Sequence, residues 1–190
     1  MPDALALWMW RHPRPIGAAG RCIGRTDLVV DSRRAKRLAH RIVAVARRER
    51  LPRVVWTSPA QRCAEVGRHL RRAGFVHRMD ERLWELDFGA WDGKPWADIG
   101  WGEVAQWEAG FAHHRPGGGE SLAMLIERAR GFLAERASSG AGPVLIVGHA
   151  GWMAATGLAP GETPCATRWP RAIAYGSMTR CLIEMRNPGD

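Results

Sequence analysis

The chemistry in this chain gathers around two histidines. Arg11-His12 follows the apolar run Leu5 to Trp10, and Gly148-His149 follows the run Val144 to Val147. Between them, Ser58 and Arg62 follow the short run Val54-Val55-Trp56. A neutral imidazole can attack phosphorus and become a phosphohistidine. Arginine presents a planar fork that fits phosphate oxygens two at a time, and cations stabilise the charge on a transferring phosphoryl group. A leaving alkoxide needs a proton, so a carboxylic acid must stand nearby. Glu85, Asp87 and Glu120 are the candidates.

These groups act together only if the chain delivers them to one place. Leu5 to Trp10 reads as a buried strand. Asp31-Ser32 offers N-caps for a helix whose apolar stripe is Ala35, Leu38, Ala39, Ile42, Val43 and Ala46. Val54 to Trp56 is a second strand. Ser58 then caps the next helix, with Pro59 in its first turn and Cys63, Val66, Gly67 and Leu70 on its buried face. Residues 77–83 carry a further short strand. From 84 to 119 the pattern loosens around Trp84, Trp91, Trp96, Trp101 and Trp107, with a short helix at 103–111. That stretch reads as an inserted subdomain or lid.

Ser121 caps a long helix with Leu122, Leu125, Ile126, Ala129, Phe132 and Leu133 on one face. A strand at 144–147 and a short helix at 151–158 follow. Residues 172–175 and 177–185 are expected to be the last two strands. The alternation predicts one α/β domain over 1–190, a three-layer α/β/α sandwich around a mostly parallel sheet. Ligands of such sheets bind at the carboxyl ends of the strands. Arg11, His12, Ser58, Arg62 and His149 therefore converge on one edge.

Composition limits the partners. The 190 residues hold 28 Lys+Arg against 19 Asp+Glu, a net charge of +9. The chain is long enough to bury a core without disulfides or metals. No apolar run approaches the ~18 residues of a transmembrane helix. The basic balance favours an anionic partner, either nucleic acid or a small phosphorylated substrate. The arginine-rich helix at 33–50 has no interleaved aromatics and no recognisable binding motif, so it reads as a solvated face and nucleic acid is not expected.

Cys22, Cys63, Cys165 and Cys181 form no CxxC pair, so no zinc site is expected. They read as reduced thiols of a cytoplasmic protein. Four residues separate Cys63 from Arg68, where a cysteine phosphatase loop needs five. The N-terminus lacks a basic leader and reads as a first strand rather than a signal peptide.

Five segments, in order, resemble the histidine phosphatase superfamily, which includes the phosphoglycerate mutases. Leu7-Trp-Met-Trp-Arg11-His12-Pro13 resembles its strand-plus-RHG signature, and Thr57-Ser58-Pro59-Ala60-Gln61-Arg62 its SPxxR segment. Leu83-Trp-Glu85-Leu-Asp-Phe-Gly89-Ala-Trp-Asp-Gly93 is similar to LxExxxGxWEG. Pro116-Gly-Gly-Gly-Glu120-Ser121 is similar to PGGES, and Val147-Gly148-His149-Ala-Gly151 to the second-histidine motif.

The resemblance implies a phosphoglycerate mutase-like fold with His12 as nucleophile. Arg11, Arg62 and His149 would hold the phosphoryl group, and Glu85 would protonate the leaving oxygen and then deprotonate water. It implies a metal-independent phosphomonoesterase with no cofactor, a small phosphorylated substrate and no membrane partner. Monomer and homodimer both stay open.

Arg21-Cys22-Ile-Gly24-Arg25-Thr26-Asp27 resembles the loop of α-ribazole-5'-phosphate phosphatases, which act in cobalamin biosynthesis. A phosphoglycerate mutase, a sugar-phosphate phosphatase and a non-catalytic binder of phosphorylated ligands are the alternatives. The tryptophans of 84–119 either stack a benzimidazole base or pack the insertion. Two departures stand out. Pro13 replaces the family glycine and removes an N–H. Ala18 and Ala19 stand where relatives carry a phosphate-binding asparagine, so Arg14 or Arg21 is expected to replace that donor.

Overall fold

Strand β1 (Ala4–Arg11) sends alternate side chains to two faces, and both faces are buried. Leu5, Leu7 and Met9 join one apolar cluster, and Trp8 and Trp10 the other. Strand β4 (Val144–Gly148) divides in the same way, Val144 and Ile146 from Leu145 and Val147. A strand covered on both faces belongs inside a sandwich. The computed structural model describes residues 4–140, 142–159 and 161–184.

Five strands form one sheet. With β2 (Val54–Thr57), β3 (Val76–Met79) and β5 (Met178–Glu184), its order is β3-β2-β4-β1-β5. The β1–β4, β2–β4 and β2–β3 pairs are parallel, and β5 runs antiparallel along β1. Helices α1 (Ser32–Arg48) and α2 (Gln61–Arg72) cover the face with Trp8 and Trp10. Helix α4 (Leu122–Ser138) and the short α5 (Ala150–Ala155) cover the other. This is the expected three-layer α/β/α arrangement. Helix α3 (Trp101–Ala109) lies in the tryptophan-rich stretch. Among the described residues, no helix is long and apolar enough to cross a membrane.

Asp31 caps α1 by accepting from the Arg33 and Arg34 amides, and Ser121 caps α4 through the Met124 amide. The arginines Arg33, Arg34, Arg37 and Arg41 are exposed, as a solvated face requires.

Several boundaries differ from expectation. Helix α2 starts at Gln61 rather than at Ser58-Pro59, because the Ser58 hydroxyl spends its lone pair on the Ala60 amide inside the preceding turn. The strand expected at 77–83 stops at Met79. The Asp80 carboxylate accepts from the Arg82 amide and turns 81–83 into a single 3₁₀ turn. Residues 172–175 are not a strand. The Gly176 amide donates to the Arg11 carbonyl at 3.0 Å, and this segment folds over the end of β1 instead of pairing. Met185, the expected end of the last strand, lies outside the described residues.

Candidate active site

Strand register brings the two histidines together. Arg11 pairs with Gly148 across β1 and β4, so the next residues, His12 and His149, leave neighbouring strand ends. The His12 amide still donates to the Gly148 carbonyl, at 3.0 Å. Their ring centroids lie 5.0 Å apart, edge to face. Thr57 pairs with Val147, which places Ser58 and the start of α2 beside the same edge.

Each ring has one protonated nitrogen fixed by its neighbours. The His12 Nδ1 lies 2.7 Å from the Pro13 carbonyl. A carbonyl only accepts, so Nδ1 carries the proton and Nε2 keeps its lone pair. Pro13 thus supplies no N–H to a ligand but does orient the His12 ring. Arg62 Nε donates to His149 Nδ1 at 3.4 Å, which leaves the His149 proton on Nε2. Burial, then the Arg62 charge, pushes the His12 pKa down to about 3, against a smaller upward pull from the Pro13 carbonyl. Burial and Arg62 likewise hold His149 well below the ordinary histidine range. Both rings are neutral at neutral pH, the state a nitrogen nucleophile needs.

Arg62 is 1% exposed. Its Nη1 donates to the Thr26 carbonyl at 2.8 Å and its Nη2 to the Gly24 carbonyl at 2.6 Å. With Nε on His149, three of its five N–H groups are engaged and two stay available for an anion. Arg11 stacks on Tyr175, its guanidinium carbon 3.8 Å from the ring centre, and donates through Nη1 to the Ile173 carbonyl. Its Nε is buried without a partner. Such a donor costs stability until an acceptor reaches it, and a phosphate oxygen is an acceptor of the right charge.

Of the three carboxylates, Glu85 alone reaches the second-histidine segment. It accepts from the Gly151 amide at 3.0 Å, the Trp152 amide at 3.1 Å and its neighbour Leu86 at 3.1 Å. A carboxylate offers about four lone-pair sites, so one stays open to a substrate or water. A Cβ at Gly151 would lie 2.5 Å from Glu85 Oε1, so a side chain there would push the carboxylate aside. Glu120 is instead bidentate with Arg128, at 2.7 and 2.9 Å, and Asp87 accepts from the Gly89 amide. Arg128 also donates to the carbonyls of Arg82, Trp84 and Glu85, which fixes the segment that bears Glu85.

Three contributors were not singled out in the sequence. Asp92 gathers the Gly24, Arg25 and Thr26 amides and the Thr26 hydroxyl. Arg128 ties α4 to the segment that bears Glu85. Tyr175, the one tyrosine of the chain, packs 5.5 Å from the His12 ring. The legible signals among them were that lone tyrosine, set before Gly176, and the acidic position of the Trp-Asp-Gly93 motif, which Asp92 fills.

Arg14 is exposed and makes no side-chain hydrogen bond among the described residues. Arg21 donates to the Gly93 carbonyl at 2.8 Å. Of the five tryptophans, Trp91 and Trp107 pack with Cys22 and Ile99, Trp96 abuts Phe88, and Trp101 is exposed. Trp84 lies parallel to His149, 6.4 Å between centres. Cys63 is buried inside α2, 3.6 Å from His149 Nε2, and burial pushes its thiol up, away from nucleophilic thiolate. Among the described residues, no group of three or more His, Cys, Asp or Glu is placed to hold a metal ion.

A mostly parallel sheet that ends in two neutral imidazoles, a buried arginine and an amide-held glutamate has the groups that phosphoryl transfer requires. Residues 7–188 match the histidine phosphatase superfamily (branch 1), and the chain belongs to that family. It is a phosphoric monoester hydrolase. It is 33% identical to the glucosyl-3-phosphoglycerate phosphatase of Mycobacterium tuberculosis, over 81% of this chain and 78% of the relative. The solved structure of a mycobacterial glucosyl-3-phosphoglycerate phosphatase superposes with a TM-score of 0.75 at 26% identity, covering 93% of this chain and 89% of that one. A structure called mycobacterial hydrolase 2 gives 0.77 at 26% identity, covering 98% and 84%.

Proposed function

We propose that the protein hydrolyses a small phosphomonoester through a phosphohistidine on His12 Nε2. The observation that carries this reading is the pair of neutral, tautomer-fixed imidazoles 5.0 Å apart beside a buried arginine with two unused donors. In the first step Nε2 attacks phosphorus as the P–O ester bond breaks. Glu85, protonated for this step, gives its proton to the departing alkoxide. In the second step water attacks phosphorus, the N–P bond breaks, and the Glu85 carboxylate takes the proton of the water. Arg11, Arg62 and His149 surround the phosphoryl group and stabilise the charge on its equatorial oxygens in both steps. Arg14, two residues beyond the nucleophile and uncommitted, is the donor we assign in place of the family asparagine. Arg21 serves to anchor the loop against Gly93.

For the substrate we infer a phosphorylated glycerate such as glucosyl-3-phosphoglycerate, the compound named for the mycobacterial relative. A second reading, α-ribazole-5'-phosphate, is favoured by the Trp84 indole face, which suits a flat base. Steady-state hydrolysis of both compounds by the purified protein decides between them. A kcat/KM at least about tenfold higher on glucosyl-3-phosphoglycerate supports the first reading. The reverse ratio replaces it with the second, and no turnover of either, or of nitrophenyl phosphate, refutes the phosphatase assignment. We also assign residues 84–119 as the segment that bounds the substrate pocket within a single domain, in a protein that works in the cytoplasm.

A further inference from the structure

Arg25 carries a partly buried guanidinium with no carboxylate partner among the described residues. Its amide is held by Asp92, and the carbonyls of its two neighbours are held by Arg62, so the root of the side chain is fixed. The guanidinium carbon lies 5.1 Å from the centre of the Trp84 ring, within cation–π range. Trp84 in turn lies parallel to His149, 6.4 Å away. Arg25 therefore stands one aromatic ring from the phosphoryl-handling histidine.

Its acidic neighbours are all committed elsewhere. Glu120 is bidentate with Arg128, Glu81 accepts from the Trp84 indole N–H at 2.9 Å, and Asp87 accepts from the Gly89 amide. Among the described residues, Arg25 has no ion pair and its guanidinium donates no hydrogen bond. Its Nε is buried without a partner. By contrast, Arg82 pairs with Asp80 and Glu135, and Arg128 with Glu120. An unpaired, partly buried guanidinium is costly for a fold to keep. The cost is offset where a ligand brings the missing anion.

We propose that Arg25, braced on Trp84, is a specificity-determining residue that binds a carboxylate on the alcohol portion of the substrate. The fork of Arg25 takes the two carboxylate oxygens while the phosphate sits between the histidines. This rests on the phosphatase reading and deepens it, because it makes the substrate a phosphomonoester with a second negative group close to the ester. A neutral alcohol would leave Arg25 unpaired.

The test compares 3-phosphoglycerate with glycerol 3-phosphate, which carries a hydroxymethyl group in place of the carboxylate, and uses nitrophenyl phosphate to report the chemical step. Wild type is expected to prefer 3-phosphoglycerate by about tenfold or more in kcat/KM, the scale of a charge-assisted hydrogen bond. Arg25→Gln is expected to erase most of that preference through a rise in KM for 3-phosphoglycerate, and Arg25→Lys to restore part of it. An equal ratio of the two substrates in wild type and Arg25→Gln overturns the proposal. So does a loss that falls on kcat for all three esters alike. If wild type hydrolyses none of the three, the phosphatase reading itself falls and the subsite with it, an outcome distinct from turnover without preference.

Discussion

Arg62 and Asp92 hold the same tripeptide, one by its carbonyls and the other by its amides. Arg62 donates to the carbonyls of Gly24 and Thr26. Asp92, 66 residues beyond Thr26, accepts from the amides of Gly24, Arg25 and Thr26. Gly24 is required in this clasp, since a Cβ would lie 2.0 Å from the Leu86 carbonyl. Asp92 thereby helps position Arg62 through the loop they share. Asp92→Ala leaves three partly buried amides without acceptors and is expected to cost about 1–3 kcal/mol. Urea unfolding measures that loss, and KM for a phosphate ester should rise with it.

Gly151→Ala is expected to imitate Glu85→Gln. The new Cβ would displace the carboxylate it meets at 2.5 Å. Loss of a general acid–base group costs typically ~10²–10⁴-fold. Both variants should lose that much on an alkyl phosphate and much less on nitrophenyl phosphate, whose leaving group needs little protonation. Parallel kcat measurements on the two esters check this. Equal losses on both would remove Glu85 from the role of acid.

Arg128→Met strands the Glu120 carboxylate, whose side chain is 10% exposed beside an Arg128 side chain 15% exposed. Breaking one side of such a pair costs about 3–5 kcal/mol. It also frees the carbonyls around Glu85. Thermal and denaturant unfolding should show the loss, and Arg128→Met with Glu120→Met should recover much of the stability.

The histidines set an acid limit on stability. His12 is held to about 3 in the folded protein and titrates in the ordinary range near 6.5 when unfolded. His149 shifts the same way. Between pH ~3 and ~6.5 the unfolded chain binds the extra protons, so stability is full above 6.5 and falls as pH drops through that window. Folded-state proton NMR should show the His12 ring signal unchanged from pH 8 to pH 5. Bound phosphate should raise its titration midpoint, because a nearby anion favours the imidazolium.

The sheet was legible where local sequence outweighs context. Leu5 to Trp10 and Val144 to Val147 are apolar at every position but Trp8's and Trp10's polar tips, and both are buried on two faces. The stripe Ala35 to Ala46 could only be a helix packed on one side. Residues 172–175 look like a strand in sequence because Ala-Ile-Ala-Tyr carries β-compatible side chains. Their conformation is decided by Arg11 and the His12 carbonyl, more than 160 residues away. The motifs named His12, Arg62, Glu85 and His149 as residues to examine. The motif ending in Gly93 contained Asp92 but not its role, and nothing marked Arg128, because their partners lie in distant segments and leave no local pattern.

The central claim is covalent: phosphate resides on His12 Nε2 during turnover. Rapid acid-free quenching of the protein during hydrolysis of ³²P-labelled substrate, followed by alkaline digestion, tests it most directly. The account predicts a base-stable, acid-labile label on the peptide that contains His12, present in wild type, enriched in Glu85→Gln with an aryl ester, and absent in His12→Ala. Turnover with no label on that peptide, or turnover that persists in His12→Ala, would contradict it.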